Sequence, residues 1–314
     1  MGRRRPAGYR DEVRSRRALV AASIAAVLLA ACSGGSPAAR RRSVTTTTSR
    51  APVSAAPRVA STTTSAPRTT TSTARRPAST TTTAPRLASA AGLGAVAGRT
   101  IAIDPGHNGR NWAHTAEIAR PIFIGTQTRA CDTTGTNTAD GYTESAYTLD
   151  VSLRLAAILR AAGAHVVLTR TTDDGWGPCI DERAAIGNRA HAAVAISIHA
   201  DGGPAGGRGF HVNYPTVVPG YTDDIAAASY RLALDIRAAY AAGTGMPPAD
   251  YIGRAGLLAR SDFGGLNLSD VPKVLFETAN MRNATDASLV ESPAFRQRAA
   301  QAIAAGLAAY LSGR

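Results

Sequence analysis

The run Thr100-Ile101-Ala102-Ile103-Asp104-Pro105-Gly106-His107 constrains this chain more than any other stretch. A short apolar, β-branched segment ends in Asp-Pro-Gly, the pattern of a buried strand stopping at a tight turn. A histidine just past a strand end sits where open α/β sheets collect ligands, outside the carboxyl edges of the strands. Two later apolar runs end in the same manner. Residues 193–198 lead into His199, and residues 274–276 lead into Glu277.

Helical spacing intervenes between these runs. Over residues 144–162, Leu149, Leu153, Ala156 and Arg160 follow one line, and Val151, Leu155, Ile158 and Leu159 a neighbouring one, with Gly163 as the stop. Further helices are predicted over residues 181–191, 225–242 and 292–311, and further strands over residues 165–169 and 210–214. Such alternation predicts a single α/β domain over residues 97–314, with a mostly parallel central sheet flanked by helices on both faces. Residues 108–141 do not alternate and are expected to form a flap beside the site.

The residues before 97 have another character. Residues 1–32 combine an arginine-rich leader with an apolar run too short to span a bilayer comfortably. The segment ends in Leu29-Ala30-Ala31-Cys32, which resembles a bacterial lipobox. An export signal is therefore expected, either with Cys32 lipidated and anchoring the chain to the outer face of the membrane, or with ordinary cleavage and secretion. Residues 33–96 are rich in Ser, Thr, Pro, Ala and Arg and bury too little apolar surface to offset the entropy of ordering, so a disordered tether is expected.

Charge follows the same division. The chain has 35 basic and 22 acidic residues, yet residues 1–96 hold sixteen arginines against Asp11 and Glu12. Residues 97–314 are left with 19 basic and 20 acidic residues. Nucleic-acid binding requires a basic face on a fold, and the expected domain is nearly neutral. The basic tether suits anionic lipid or wall polymer instead.

Two histidines and a carboxylate make a zinc ligand set that leaves a position open for water, and a second carboxylate can serve as base. His107, Glu144 and His199 are the candidate metal ligands, and Glu277 is the candidate catalytic carboxylate. Glu144 opens its helix, where the dipole favours its anion. Cys131 and Cys179 are expected to form a disulfide that pins the flap, as an isolated pair in an exported protein does. Asp104 is read as a turn residue, with a hydrogen-bond acceptor for a ligand imidazole as the alternative; His114, His165, His191 and His211 are read as structural or solvated, and Trp176 as packing for the disulfide. Trp112 and His114 are the flap residues placed to line a substrate groove.

In order, Ile103-Asp104-Pro105-Gly106-His107-Asn108-Gly109, Glu144, Ile196-Ser197-Ile198-His199-Ala200-Asp201 and Val274-Leu275-Phe276-Glu277 resemble the zinc-dependent N-acetylmuramoyl-L-alanine amidases of the cell-wall amidase 3 type. The segment from Thr169-Arg170 to Arg183 and Asn188 fits the same pattern. The resemblance covers residues 99–311. It implies zinc held by His107, Glu144 and His199, with Glu277 moving the proton. It also implies peptidoglycan or its fragments as substrate, cut between muramic acid and L-alanine. The family's Glu-x-Gly-Phe is here Glu277-Thr278-Ala279-Asn280, and its Asn after Ser-Ile-His-Ala is Asp201. A zinc carboxypeptidase-like peptidase and a wall-binding module without catalysis are the competing readings. A monomer is expected.

Overall fold

The computed structural model describes residues 90–313. The leader, Cys32 and most of the expected tether lie outside the described residues. The last of the expected tether does not stand apart from the domain. Ala90–Val96 forms a 3-10 helix that buries Leu93 and Val96 against the closing helix.

Among the described residues, eight strands and seven α-helices follow in chain order. The strands are β1 (Thr100–Pro105), β2 (Pro121–Phe123), β3 (Thr128–Ala130), β4 (His165–Leu168), β5 (Val194–Asp201), β6 (His211–Pro215), β7 (Leu257–Arg260) and β8 (Lys273–Asn280). The helices are α1 (Thr115–Ile118), α2 (Glu144–Ala161), α3 (Ile180–Arg189), α4 (Ala226–Thr244), α5 (Gly264–Asn267), α6 (Ala284–Val290) and α7 (Pro293–Leu311). Six strands form one sheet in the order β4-β1-β5-β8-β6-β7, and β2 and β3 pair as a separate antiparallel hairpin within the expected flap. All neighbours in the large sheet run parallel except β6 and β8. The expectation of a mostly parallel sheet is met.

The period of two along each strand divides the sheet into unlike faces. Ile101, Ile103, Ile196, Ile198, Val274 and Phe276 point to a thick layer built by α2, α4 and α7, which holds the main core. Small residues let these helices approach closely. A Cβ at Gly306 of α7 would meet the backbone of Ile236 in α4 at 2.9 Å. The alternate residues point the other way. Ala102 and Ala195 form a small apolar cluster there, and the short α3 and α5 lie over that face. Helices thus cover both faces, unequally, and the thin side leaves room for a cleft.

Two strands run further than their apolar runs indicated. β5 continues through His199 to Asp201, and β8 through Glu277 to Asn280. His199 and Glu277 therefore lie within strands rather than just past them. Hydrogen bonding to a neighbouring strand extends a ladder through polar residues, a tertiary effect that hydrophobic patterning does not register.

Candidate metal centre

Each candidate side chain reaches the site for a local reason. His107 follows the Pro105-Gly106 turn and has a positive φ of 56°, a conformation uncommon outside glycine. The turn is held by Arg170 and Arg183, whose guanidinium groups donate to the carbonyls of Pro105, Gly106 and His107 at 2.6–3.1 Å. Glu144 is the first residue of α2, whose N-cap Thr143 accepts from the backbone N–H of Ala146. His199 lies on the thin face of β5, in register with Glu277 on β8.

These elements converge. Glu144 Oε2 lies 3.3 Å from His107 Nε2, and Glu144 Oε1 lies 3.0 Å from His199 Nδ1. The imidazoles meet edge-on with centroids 4.9 Å apart. One donor atom from each of His107, Glu144 and His199 lies within 4.8 Å of the others. The carboxylate of Glu144 also accepts from the backbone N–H groups of Thr136 and Ala200, which fixes its plane. Two glycines make space for the cluster. A Cβ at Gly106 would lie within 2.6 Å of the ring atoms Cε1, Nδ1 and Nε2 of His199, and one at Gly135 would lie 2.9 Å from Glu144 Oε2 and His107 Cδ2.

The other nitrogen of His107 is occupied. Its Nδ1 lies 3.0 Å from the carbonyl of Thr133 and 3.3 Å from Asp132 Oδ1, which leaves Nε2 to turn inward. A ring held in this way by a carbonyl and a carboxylate is typical of metal-binding histidine. Burial alone pushes the pKa of His107 down, but Glu144 and Asp132 outweigh it and hold the value well above that of free imidazole. Burial pushes Glu144 up, and the two histidines outweigh that and hold it well below the usual carboxylate range. The cluster therefore favours positive charge, which a divalent cation on the same atoms supplies. Two imidazoles and a carboxylate are the donor set of a hydrolytic zinc site, and they fit the ion.

Glu277 stands apart from this cluster. Its Oε2 is buried without a hydrogen-bond partner. Burial, with repulsion from Glu144 and Asp201, raises its pKa well above the ordinary value. It lines the same cleft of about 630 Å³ as His107, Glu144 and His199. A carboxyl group that is held near a cation without being bound by other protein atoms is free to carry a proton.

Two expectations change, those for Asp104 and Trp176. Asp104 is not a turn residue. It is buried in β1, where it accepts from Arg183 at 2.8 Å and Lys273 at 3.1 Å and from the hydroxyl of Ser197. His211 is buried on the thin face of β6, directly opposite Glu277, and its Nδ1 has no partner. Burial pushes His211 down to about 4, with Asp201 opposing and Arg260 assisting, so the ring is neutral at pH 7. Trp176 does not pack on the disulfide; it is exposed and stacks on His114 with centroids 5.6 Å apart. The bridge joins Cys131 to Cys179 as expected, and its apolar neighbours are Ile122, Ile124, Ile180 and Leu268. Asp132 and Arg183, which hold His107 from behind, were not identified by their chemistry. Asp132 has only its place beside Cys131 to mark it, and an arginine on a short helix carries no sign that it is buried.

Known proteins resemble the folded domain in sequence and in fold. The sequence profile described as N-acetylmuramoyl-L-alanine amidase matches residues 101–309. N-acetylmuramoyl-L-alanine amidase Rv3717 of Mycobacterium tuberculosis is 44% identical over 218 residues, covering 69% of this chain and 88% of that protein. The crystal structure of the amidase Ami1 from Mycobacterium smegmatis superposes with a TM-score of 0.66 at 44% identity, covering 70% of this chain and 99% of that one. The apo form of Ami1 from Mycobacterium abscessus gives a TM-score of 0.65 at 43% identity, covering 69% and 100%. With most of the folded domain matched in sequence and in structure, the chain belongs to the N-acetylmuramoyl-L-alanine amidase family.

Proposed function

We propose that this domain hydrolyses the amide bond between N-acetylmuramic acid and L-alanine in peptidoglycan, using zinc held by His107, Glu144 and His199. The observation that carries the reading is the meeting of three donor atoms within 4.8 Å beside a second carboxylate whose Oε2 is unpartnered. When bound, zinc polarises the amide carbonyl and lowers the pKa of a water to about 7.

The remaining steps belong to the protein. Glu277 takes a proton from the attacking water and returns it to the amine of L-alanine as the carbon–nitrogen bond breaks. Burial and repulsion from Glu144 and Asp201 raise its pKa, which makes its carboxylate a stronger base for the first of these steps. Thr133 and Asp132 keep the outward nitrogen of His107 engaged, so the ring does not rotate during turnover.

A peptidase acting on chain ends needs a guanidinium for the terminal carboxylate. The cleft arginines Arg129 and Arg260 are each engaged by Asp262, at 2.6 and 2.7 Å, which favours the amidase reading. The leader and Cys32 support export and attachment to the membrane, with residues 33–89 giving the domain reach into the wall. Mass spectrometry of peptidoglycan digested by the zinc-loaded protein tests the proposal. New free L-alanine amino termini are expected; cleavage only at other bonds would overturn it.

A further inference from the structure

The chain contains two tryptophans, and neither is in the core. Trp112 is 68% exposed and Trp176 is 40% exposed. Tryptophan is highly buried on average, so a protein that exposes both of its indoles leaves much apolar area open to water. The two come from segments far apart in sequence, the loop after β1 and the loop after β4, yet one buried side chain connects those loops.

That side chain is Asn111. Its Oδ1 accepts from the backbone N–H of Gly177, the residue after Trp176, at 2.9 Å. Its Nδ2 donates to the carbonyl of Thr133 at 2.7 Å, the same oxygen that lies 3.0 Å from His107 Nδ1. Trp112 is the next residue in the chain. Two more bonds join the loops, from Asn108 Nδ2 to the carbonyl of Gly177 and from the backbone N–H of Arg110 to the carbonyl of Gly175. Both indoles are therefore carried on one braced loop cluster, a single shared acceptor away from the metal site. His114 stacks against one face of Trp176 at an interplanar angle of 24° and fixes the orientation of that indole, and exposed Arg110 and Asp174 add polar groups.

We propose that Trp112 and Trp176 form a sugar-binding subsite for the glycan strand of the substrate. A pyranose ring has an apolar C–H face and a rim of hydroxyls, which matches an exposed indole face with polar neighbours. The proposal rests on the amidase reading, since the scissile amide hangs from a sugar and the polymer must pass close to His107. It goes beyond that reading in assigning the domain a grip on polymeric glycan that the hydrolytic residues do not supply.

The test compares the wild-type protein with Trp112→Ala, Trp176→Ala and the double variant, on insoluble sacculi and on a soluble single-sugar muramyl peptide. Loss of both indoles is expected to raise the KM for sacculi by about tenfold, with kcat and the muramyl-peptide kinetics within about twofold of wild type. Trp112→Tyr should restore part of the loss. Zinc content and melting temperature should not change. Because the only tryptophans are the proposed contacts, their fluorescence reports binding directly. Peptide-free N-acetylglucosamine oligomers should shift the emission of the wild-type protein.

The proposal is overturned by sacculi kinetics unchanged in the double variant, by equal losses on both substrates, or by emission that responds to a sugar-free stem peptide and not to the oligomers. If the wild-type protein cleaves neither substrate, the amidase reading fails. The fluorescence titration then still decides the sugar site.

Discussion

Asp132 Oδ1 lies 3.3 Å from Nδ1 of His107, while its other oxygen accepts from Arg183 at 3.0 Å. A carboxylate in this position both orients the imidazole and makes it a better donor. Asp132→Asn keeps the shape and removes the charge. Zinc affinity is expected to fall by about 10- to 100-fold, measured by competition with a chromophoric chelator. Unchanged affinity would show that the Thr133 carbonyl alone holds the ring.

Glu277→Gln separates metal binding from proton transfer. The amide occupies the same volume in the cleft but cannot accept the proton from water. Zinc content should stay at the wild-type level, and kcat should fall by about 10²- to 10⁴-fold. Metal analysis after dialysis, with single-turnover kinetics on a muramyl peptide, checks both halves. Wild-type turnover would remove Glu277 from its role.

Acid stability follows from Asp104. Burial raises its pKa, but Lys273, Arg183 and Ser197 outweigh burial and hold the value well below the ordinary one near 3.8. A carboxyl depressed in the folded state contributes stability above its unfolded pKa and loses it as pH falls through the folded value. Unfolding free energy should therefore drop below about pH 4, beyond what exposed carboxylates explain. Asp104→Asn should cost about 3–5 kcal/mol at pH 7 by leaving Lys273 and Arg183 without their shared partner. It should also flatten the acid limb. Urea titrations at several pH values read both effects.

The Cys131–Cys179 bridge closes a loop of 48 residues that carries Asp132, Glu144 with the whole of α2, and β4. In the chain-entropy model it stabilises the fold by about 4 kcal/mol. Replacing both cysteines with serine should lower the melting temperature and weaken zinc binding, because Asp132 follows Cys131 directly. Calorimetry and metal titration check the two outcomes. An unchanged melting temperature would deny the bridge its structural role.

Much of this site could be read from the linear chain because strand ends in a parallel sheet gather at one edge. His107, His199 and Glu277 follow apolar runs, and Glu144 opens a helix with clear periodicity. The supporting residues gave no such sign. Asp104 looked like part of a turn because Pro105 and Gly106 follow it, whereas its side chain accepts from a lysine 169 residues away. His211 alternates on its strand like any half-buried residue, and only the antiparallel pairing of β6 with β8 sets it opposite Glu277.

By itself the sequence determined the alternation of strands and helices over the described domain and the types of the four candidate site side chains. These depend on composition and local periodicity, which act between near neighbours. The tertiary structure alone decided that Asp132 and Arg183 support His107, that β5 and β8 extend past their apolar runs, and that both tryptophans face solvent on one loop cluster. Those outcomes depend on which distant segments meet, and hydrogen bonds and ion pairs across more than fifty residues leave no period in the chain.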